Sequence, residues 1–110
     1  EMYRKEVGDL FYSFQEERET DRSNMWLTCA LMKGEHRPED LISHLEKDNI
    51  EARRIWKPMH EQPVMKGYRK YINGNSSLLF LQGICLPSGS DLTNKDMNRI
   101  IKSIKTFFSK

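Results

Sequence analysis

An α+β fold, in which a small sheet of about three strands packs against helices, is predicted by three features of this chain. Residues 23–32 place Met25, Leu27, Cys29 and Leu31 in alternation with Trp26, Thr28, Ala30 and Met32, and both sets are largely apolar. That pattern describes an inner strand covered on each face. A helix opening at Pro38 is followed by a return strand over 50–56. Toward the C-terminus, Met97, Ile100, Ile101, Ile104, Phe107 and Phe108 mark one face of a capped amphipathic helix.

The elements follow in order. Glu1 to Leu10 has Met2, Tyr3, Val7 and Leu10 at helical spacing but no capping residue ahead of them, which predicts a helix whose start lies before Glu1. Met2, Tyr3 and Val7 have no evident cover, so exposed apolar surface is expected there. Phe11 to Phe14 is a short strand or an anchored loop, and QEERETDR at 15–22 is a solvated turn. Pro38 suits a first helical position, and Glu39 and Asp40 lie where negative charge meets the positive end of the helix dipole. Leu41, Ile42 and Leu45 form the buried stripe of this helix, beside His44; it ends near Lys47, with Asn49 as a left-handed cap.

From Val64 the chain is a polar loop that turns at Asn73-Gly74. Asn75 or Ser76 then caps a short helix over 77–82 whose Leu78, Leu79 and Leu81 are expected to pack inward. Gly83 ends that helix, and Ile84 to Leu86 is a third strand closed by Pro87 and the Ser-Gly-Ser turn. Thr93 with Asp96 three residues on forms a capping box for the last helix. Arg99, Lys102 and Lys105 on its outer face read as a solvated cationic surface near the negative end of the dipole.

A chain of 110 residues predicts one domain over 1–110 that buries about 65% of its unfolded surface and needs no metal or disulfide to fold. A charged fraction of 31% with a net charge of +2 argues against a dedicated nucleic-acid binder. No apolar run is long enough to span a membrane. EMYRKEVGDL carries no secretory signal, so a cytoplasmic location is expected. Cys29 and Cys85 both lie in apolar stretches and read as reduced, buried thiols; pairing would need adjacent strands and an oxidising compartment. Among His36, His44 and His60 no two are spaced i,i+4, and no cysteine pair has zinc spacing, so no metal site is expected. No phosphate-cradling glycine loop, nucleophile elbow or evidently desolvated lysine occurs, and no catalytic residue is assigned to these 110 residues.

The densest chemistry lies in IEARRIWKPMHEQPV, 50–64. Pro58 and Pro63 bar an ordinary helix there, and loops on a rigid frame are where binding residues concentrate. Ile50, Glu51, Arg53, Trp56, Pro58 and His60, followed by Gly83, Ile84, Cys85, Leu86, Pro87, Ser88 and Gly89, resemble the C-terminal domain of the DegT/DnrJ/StrS family of pyridoxal-phosphate-dependent sugar aminotransferases. SNMWLTCAL at 23–31 looks like the strand that precedes them in that family, so the likeness runs from about Tyr3 onward. Arg54 stands where the family often has proline, and Glu61 where it usually has an apolar residue.

The resemblance implies the small C-terminal domain of a fold-type-I aminotransferase, with the Schiff-base lysine and most cofactor contacts in a larger preceding domain. The parent enzyme would move an amino group from an amino acid, commonly glutamate, to a nucleotide-linked keto-sugar, using pyridoxal phosphate and working as a homodimer. No cofactor is expected on these residues alone. Their part would be one wall of the substrate cleft. His60 would donate to or accept from a sugar hydroxyl or phosphate. Arg53 would grip a carboxylate or phosphate, or else pair with a neighbouring acid. Trp56 would pack, or floor the sugar or base site. The competing reading is a free-standing module whose Arg53/His60 edge and basic last helix bind a phosphorylated or acidic partner.

Overall fold

The computed structural model describes residues 1–110. Its elements are α1 (Met2–Val7), β1 (Phe11–Phe14), β2 (Thr28–Met32), α2 (Pro38–Lys47), β3 (Arg53–Arg54), α3 (Asn75–Gln82), β4 (Gly83–Leu86) and α4 (Asn94–Phe108), with single 3-10 turns at 8–10, 59–61 and 63–65. The class is α+β, and the sheet has four antiparallel strands in the order β1-β2-β4-β3. The strand beyond the expected three is β1. A register shift between Phe11 and Ser13 sets Phe11 opposite Met32 and Phe14 opposite Ala30, so two rings three residues apart face the same side. Their centroids lie 5.3 Å apart, edge to face, and Phe108 of α4 meets Phe11 at 5.4 Å.

One face of the sheet carries the core. Ala30, Met32, Ile84 and Leu86 alternate onto it and join Tyr3 and Val7 of α1, Leu41 and Leu45 of α2, and Ile100, Ile101 and Ile104 of α4. Tyr3 and Val7 are therefore sealed, contrary to the expectation of an uncovered N-terminal helix; α4 is the cover. The helices are also stitched by polar contacts. Ser103 Oγ donates to Asp48 Oδ2 at 2.6 Å, Arg99 to the Asp48 carbonyl at 2.6 Å, and Lys105 pairs with Glu6 at 3.1 Å. α2 spans the predicted residues, Asn49 takes the left-handed conformation (φ 54°), and both arms of the Thr93/Asp96 capping box are made.

Several expectations shift: the return strand foreseen over 50–56 forms only at Arg53–Arg54, and α3 starts at Asn75 behind Gly74 with no side-chain cap. The strand foreseen from Ser23 begins at Thr28, because the Ser23 hydroxyl accepts from the Met25 amide and the Asn24 side chain from the Trp26 amide. These local bonds bend the backbone, with Met25 at φ 55°, and offer it an alternative to the ladder. In α3 the leucines do not pack inward: Leu78, Leu79 and Leu81 are exposed. The inward side is set by Ser77 and Phe80, which are held by polar ties. Ser77 donates to Glu61 at 2.5 Å, while the Arg54 guanidinium lies 4.0 Å over the Phe80 ring, donates to the Phe80 carbonyl at 2.7 Å and pairs with Glu39 at 2.5 Å.

Candidate functional site

Opposite the core, the sheet presents a second face bearing Cys29, Leu31, Cys85 and Arg53, the alternate positions of β2, β4 and β3. The chain runs close at one point. A Cβ on Gly83 would come within 2.4 Å of the Leu79 carbonyl oxygen and 2.2 Å of Ile55 Cδ1, so glycine is required where α3 meets β4. Beside this face lies a cleft of about 590 Å³, bordered by Trp26, Arg53, Trp56, the Pro87-Ser88-Gly89 turn and Arg99. That turn is fixed at three points: Tyr3 donates to the Pro87 carbonyl, Ser88 Oγ donates to the Leu86 carbonyl, and the Thr28 amide donates to Ser88 Oγ, each at 2.8 Å.

Arg53 and Trp56 share this cleft. The Arg53 guanidinium is held by Glu51 at 2.5 Å, yet both side chains are largely exposed, so an anionic ligand has only a weak solvated pair to displace. Trp56 is 62% exposed and stands with its ring centroid 6.0 Å from that of Trp26, itself 68% exposed. Trp26 was missed in the sequence, where it passed for one member of an alternating strand. His60 is not among the residues bordering the cleft. It sits in the 3-10 turn at 59–61 with its side chain mostly covered, Nε2 lying 3.4 Å from Ser77 Oγ and 3.7 Å from Glu61. The two departures from the family pattern, Arg54 and Glu61, both fasten α3, the first to α2 and the second to the turn that bears His60.

No three His, Cys, Asp or Glu side chains converge as a metal-binding group. Every lysine is exposed, so none of them is a desolvated amine within this chain. Burial, a hydrogen bond with Cys29 and repulsion from that thiol push Cys85 up to about 12.

An antiparallel sheet sealed by helices on one face, with an aromatic and arginine-bearing cleft beside the other, defines a small α+β domain able to form one side of a binding site. The chain belongs to the DegT/DnrJ/EryC1/StrS aminotransferase family, whose sequence model matches residues 1–105. It is 35% identical over 96% of its length to EpsN of Bacillus subtilis (strain 168), a protein assigned as a pyridoxal phosphate-dependent aminotransferase. It is 28% identical over 99% to the GDP-perosamine synthase of Escherichia coli O157:H7. In each case the chain spans 29% of the relative's length. Among solved structures, a DegT/DnrJ/EryC1/StrS aminotransferase from Brucella abortus superposes with a TM-score of 0.82 at 23% identity, over 98% of this chain and 29% of that one. Helicobacter pylori PseC, an aminotransferase involved in the biosynthesis of pseudoaminic acid, superposes at 0.78 and 18% identity, over 98% and 30%. These last two likenesses speak to fold alone.

Proposed function

We propose that this chain is the C-terminal domain of a pyridoxal-phosphate-dependent nucleotide-sugar aminotransferase that moves an amino group from an amino acid, glutamate in our reading, to a keto-sugar nucleotide. Cofactor and reactive lysine come from sequence outside these residues. The parent enzyme is cytoplasmic and homodimeric. The observation that carries this reading is the placement of exposed apolar side chains. Eleven of the twelve large ones, all but Tyr12, fall at 25–26 and 56–81, around the cleft and along the arm leading to α3. A concentration of exposed apolar side chains in these stretches supports a contact with another protein surface. Chain spread agrees: the radius of gyration is 15.4 Å, against about 13 Å for a compact domain of this length.

In this role Trp26 and Trp56 offer flat faces to a base or sugar ring, and Arg53 leaves Glu51 to hold a phosphate with its planar fork. His60, on the exposed arm, meets substrate where the arm joins the remainder of the protein. The test is made in the longer protein that contains this chain. Replacing Trp56 or Arg53 with alanine should raise KM for the nucleotide sugar about tenfold or more, an energy near 1.4 kcal/mol. The absorbance of bound cofactor should stay unchanged, and His60→Ala should lower sugar amination with the cofactor retained. Unchanged kinetics in all three variants would remove the cleft and the arm from the substrate site.

A further inference from the structure

We infer that Cys29 and Cys85 form a dithiol modification site, in which a hydroperoxide oxidises Cys29 and Cys85 then closes a reversible disulfide across β2 and β4. The two residues are direct cross-strand partners, and their sulfurs already lie 3.6 Å apart with both thiols free. Directly opposed residues in an antiparallel pair have Cα atoms about 4.5 or 5.5 Å apart, within the window of about 4.4–6.8 Å that a disulfide spans. The remaining closure to about 2.05 Å is a matter of side-chain rotation and a small strand adjustment. Cys85 stands outside the core cluster, so this movement does not disturb the packed face.

Accessibility assigns the order of events. Cys29 is half-buried and borders a separate cleft of about 510 Å³, shared with Tyr3, Arg4 and Met25, through which a small oxidant can approach. Cys85 also borders the 590 Å³ cleft but is only 8% exposed, less than Cys29, and its raised pKa keeps it protonated and slow toward a solution oxidant. The Cys29 sulfur attacks the peroxide, the O–O bond breaks, and Cys29 becomes a sulfenic acid while the peroxide is reduced to an alcohol or water. The Cys85 sulfur then bonds to the Cys29 sulfur and displaces hydroxide, which leaves as water with the Cys85 proton. The sum is two thiols and one hydroperoxide giving one disulfide, an alcohol or water, and one water. Cys85 also lies opposite Arg53 of β3. A row of three cross-strand neighbours thus runs from the first oxidised sulfur to an arginine of the cleft.

The test treats the 110-residue chain with hydrogen peroxide and reads intact mass, free-thiol titre and non-reducing electrophoresis. The expected product is a monomer that has lost both titratable thiols and two hydrogen atoms, restored by dithiothreitol. Cys85→Ser should instead stop with one oxygen added to Cys29, and Cys29→Ser should keep its remaining thiol over the same exposure. Cys85→Ala serves if serine in that buried place prevents folding, and the wild-type mass readout needs no variant. Overturning results are a chain that gains oxygen without losing hydrogen, a disulfide between chains, or two thiols that outlast a free-cysteine control.

Discussion

The two faces of the sheet differ in their residues and in their cover, although Cys85 on the second face is itself buried. On one, Ala30, Met32, Ile84 and Leu86 are sealed beneath α1, α2 and α4. On the other, Cys29 and Leu31 stay half-buried, and Arg53, Trp26 and Trp56 reach water. Alternation fixes which residues share a face but not whether that face is covered, because cover depends on helices placed elsewhere in the sequence. The difference teaches that the core-side face serves stability and leaves the other as the face we propose for contact.

If so, the largest effect on stability should come from the sealed side. Ile104 is fully buried in α4 at the centre of that core. Ile104→Ala removes three carbons and leaves a cavity, and it should cost about 3 kcal/mol in urea unfolding. A loss below about 1 kcal/mol would mean that the core relaxes around the gap and that the contrast between the faces is weaker than it looks.

A smaller effect is expected at Tyr3, where the sealed side reaches the cleft. Its hydroxyl donates to the Pro87 carbonyl, and burial raises its pKa above the ordinary tyrosine value. The unfolded chain therefore releases this proton first, near pH 10, while the folded chain keeps it. Stability from this group is complete below that pH and is lost as pH rises toward the folded value. Tyr3→Phe should cost about 1 kcal/mol at neutral pH and flatten the alkaline decline. Parallel alkaline curves for the two proteins would show that Tyr3 does not drive it.

Legibility followed the same division. α2, α4 and its capping box were readable because their signals are local: a proline at the first turn, an apolar stripe, a threonine three residues before an aspartate. The short third strand and its closing turn were readable from the Gly83–Gly89 motif, and the motif at 50–64 named Arg53 and Trp56, which the fold brings to one cleft. What escaped depended on distant partners. The leucines of α3 resembled a buried stripe, but the orientation of that helix is set by Arg54, which pairs with Glu39 and donates to the Phe80 carbonyl, and by Glu61, which accepts from Ser77. β1 was ambiguous until its bulge brought Phe11 and Phe14 onto one side. Trp26 joined the cleft only because Ser23 and Asn24 bend the backbone ahead of β2, and His60, expected along one edge with Arg53, is held apart by the turn that carries it.

The smallest effect should come from the uncovered side, and there a near-null result is the informative one. Leu81 is 62% exposed on α3, and replacing it with serine removes little buried area from this chain. Leu81→Ser should therefore change unfolding stability by less than about 0.5 kcal/mol. In the longer protein, where this surface is proposed to be covered, the same change should cost about 2 kcal/mol or more, the transfer energy of a buried leucine with its cavity. Measuring both separates two roles that exposure alone leaves merged. A leucine that matters in neither setting is ordinary surface. One that matters only in the longer protein belongs to a joint between domains or subunits.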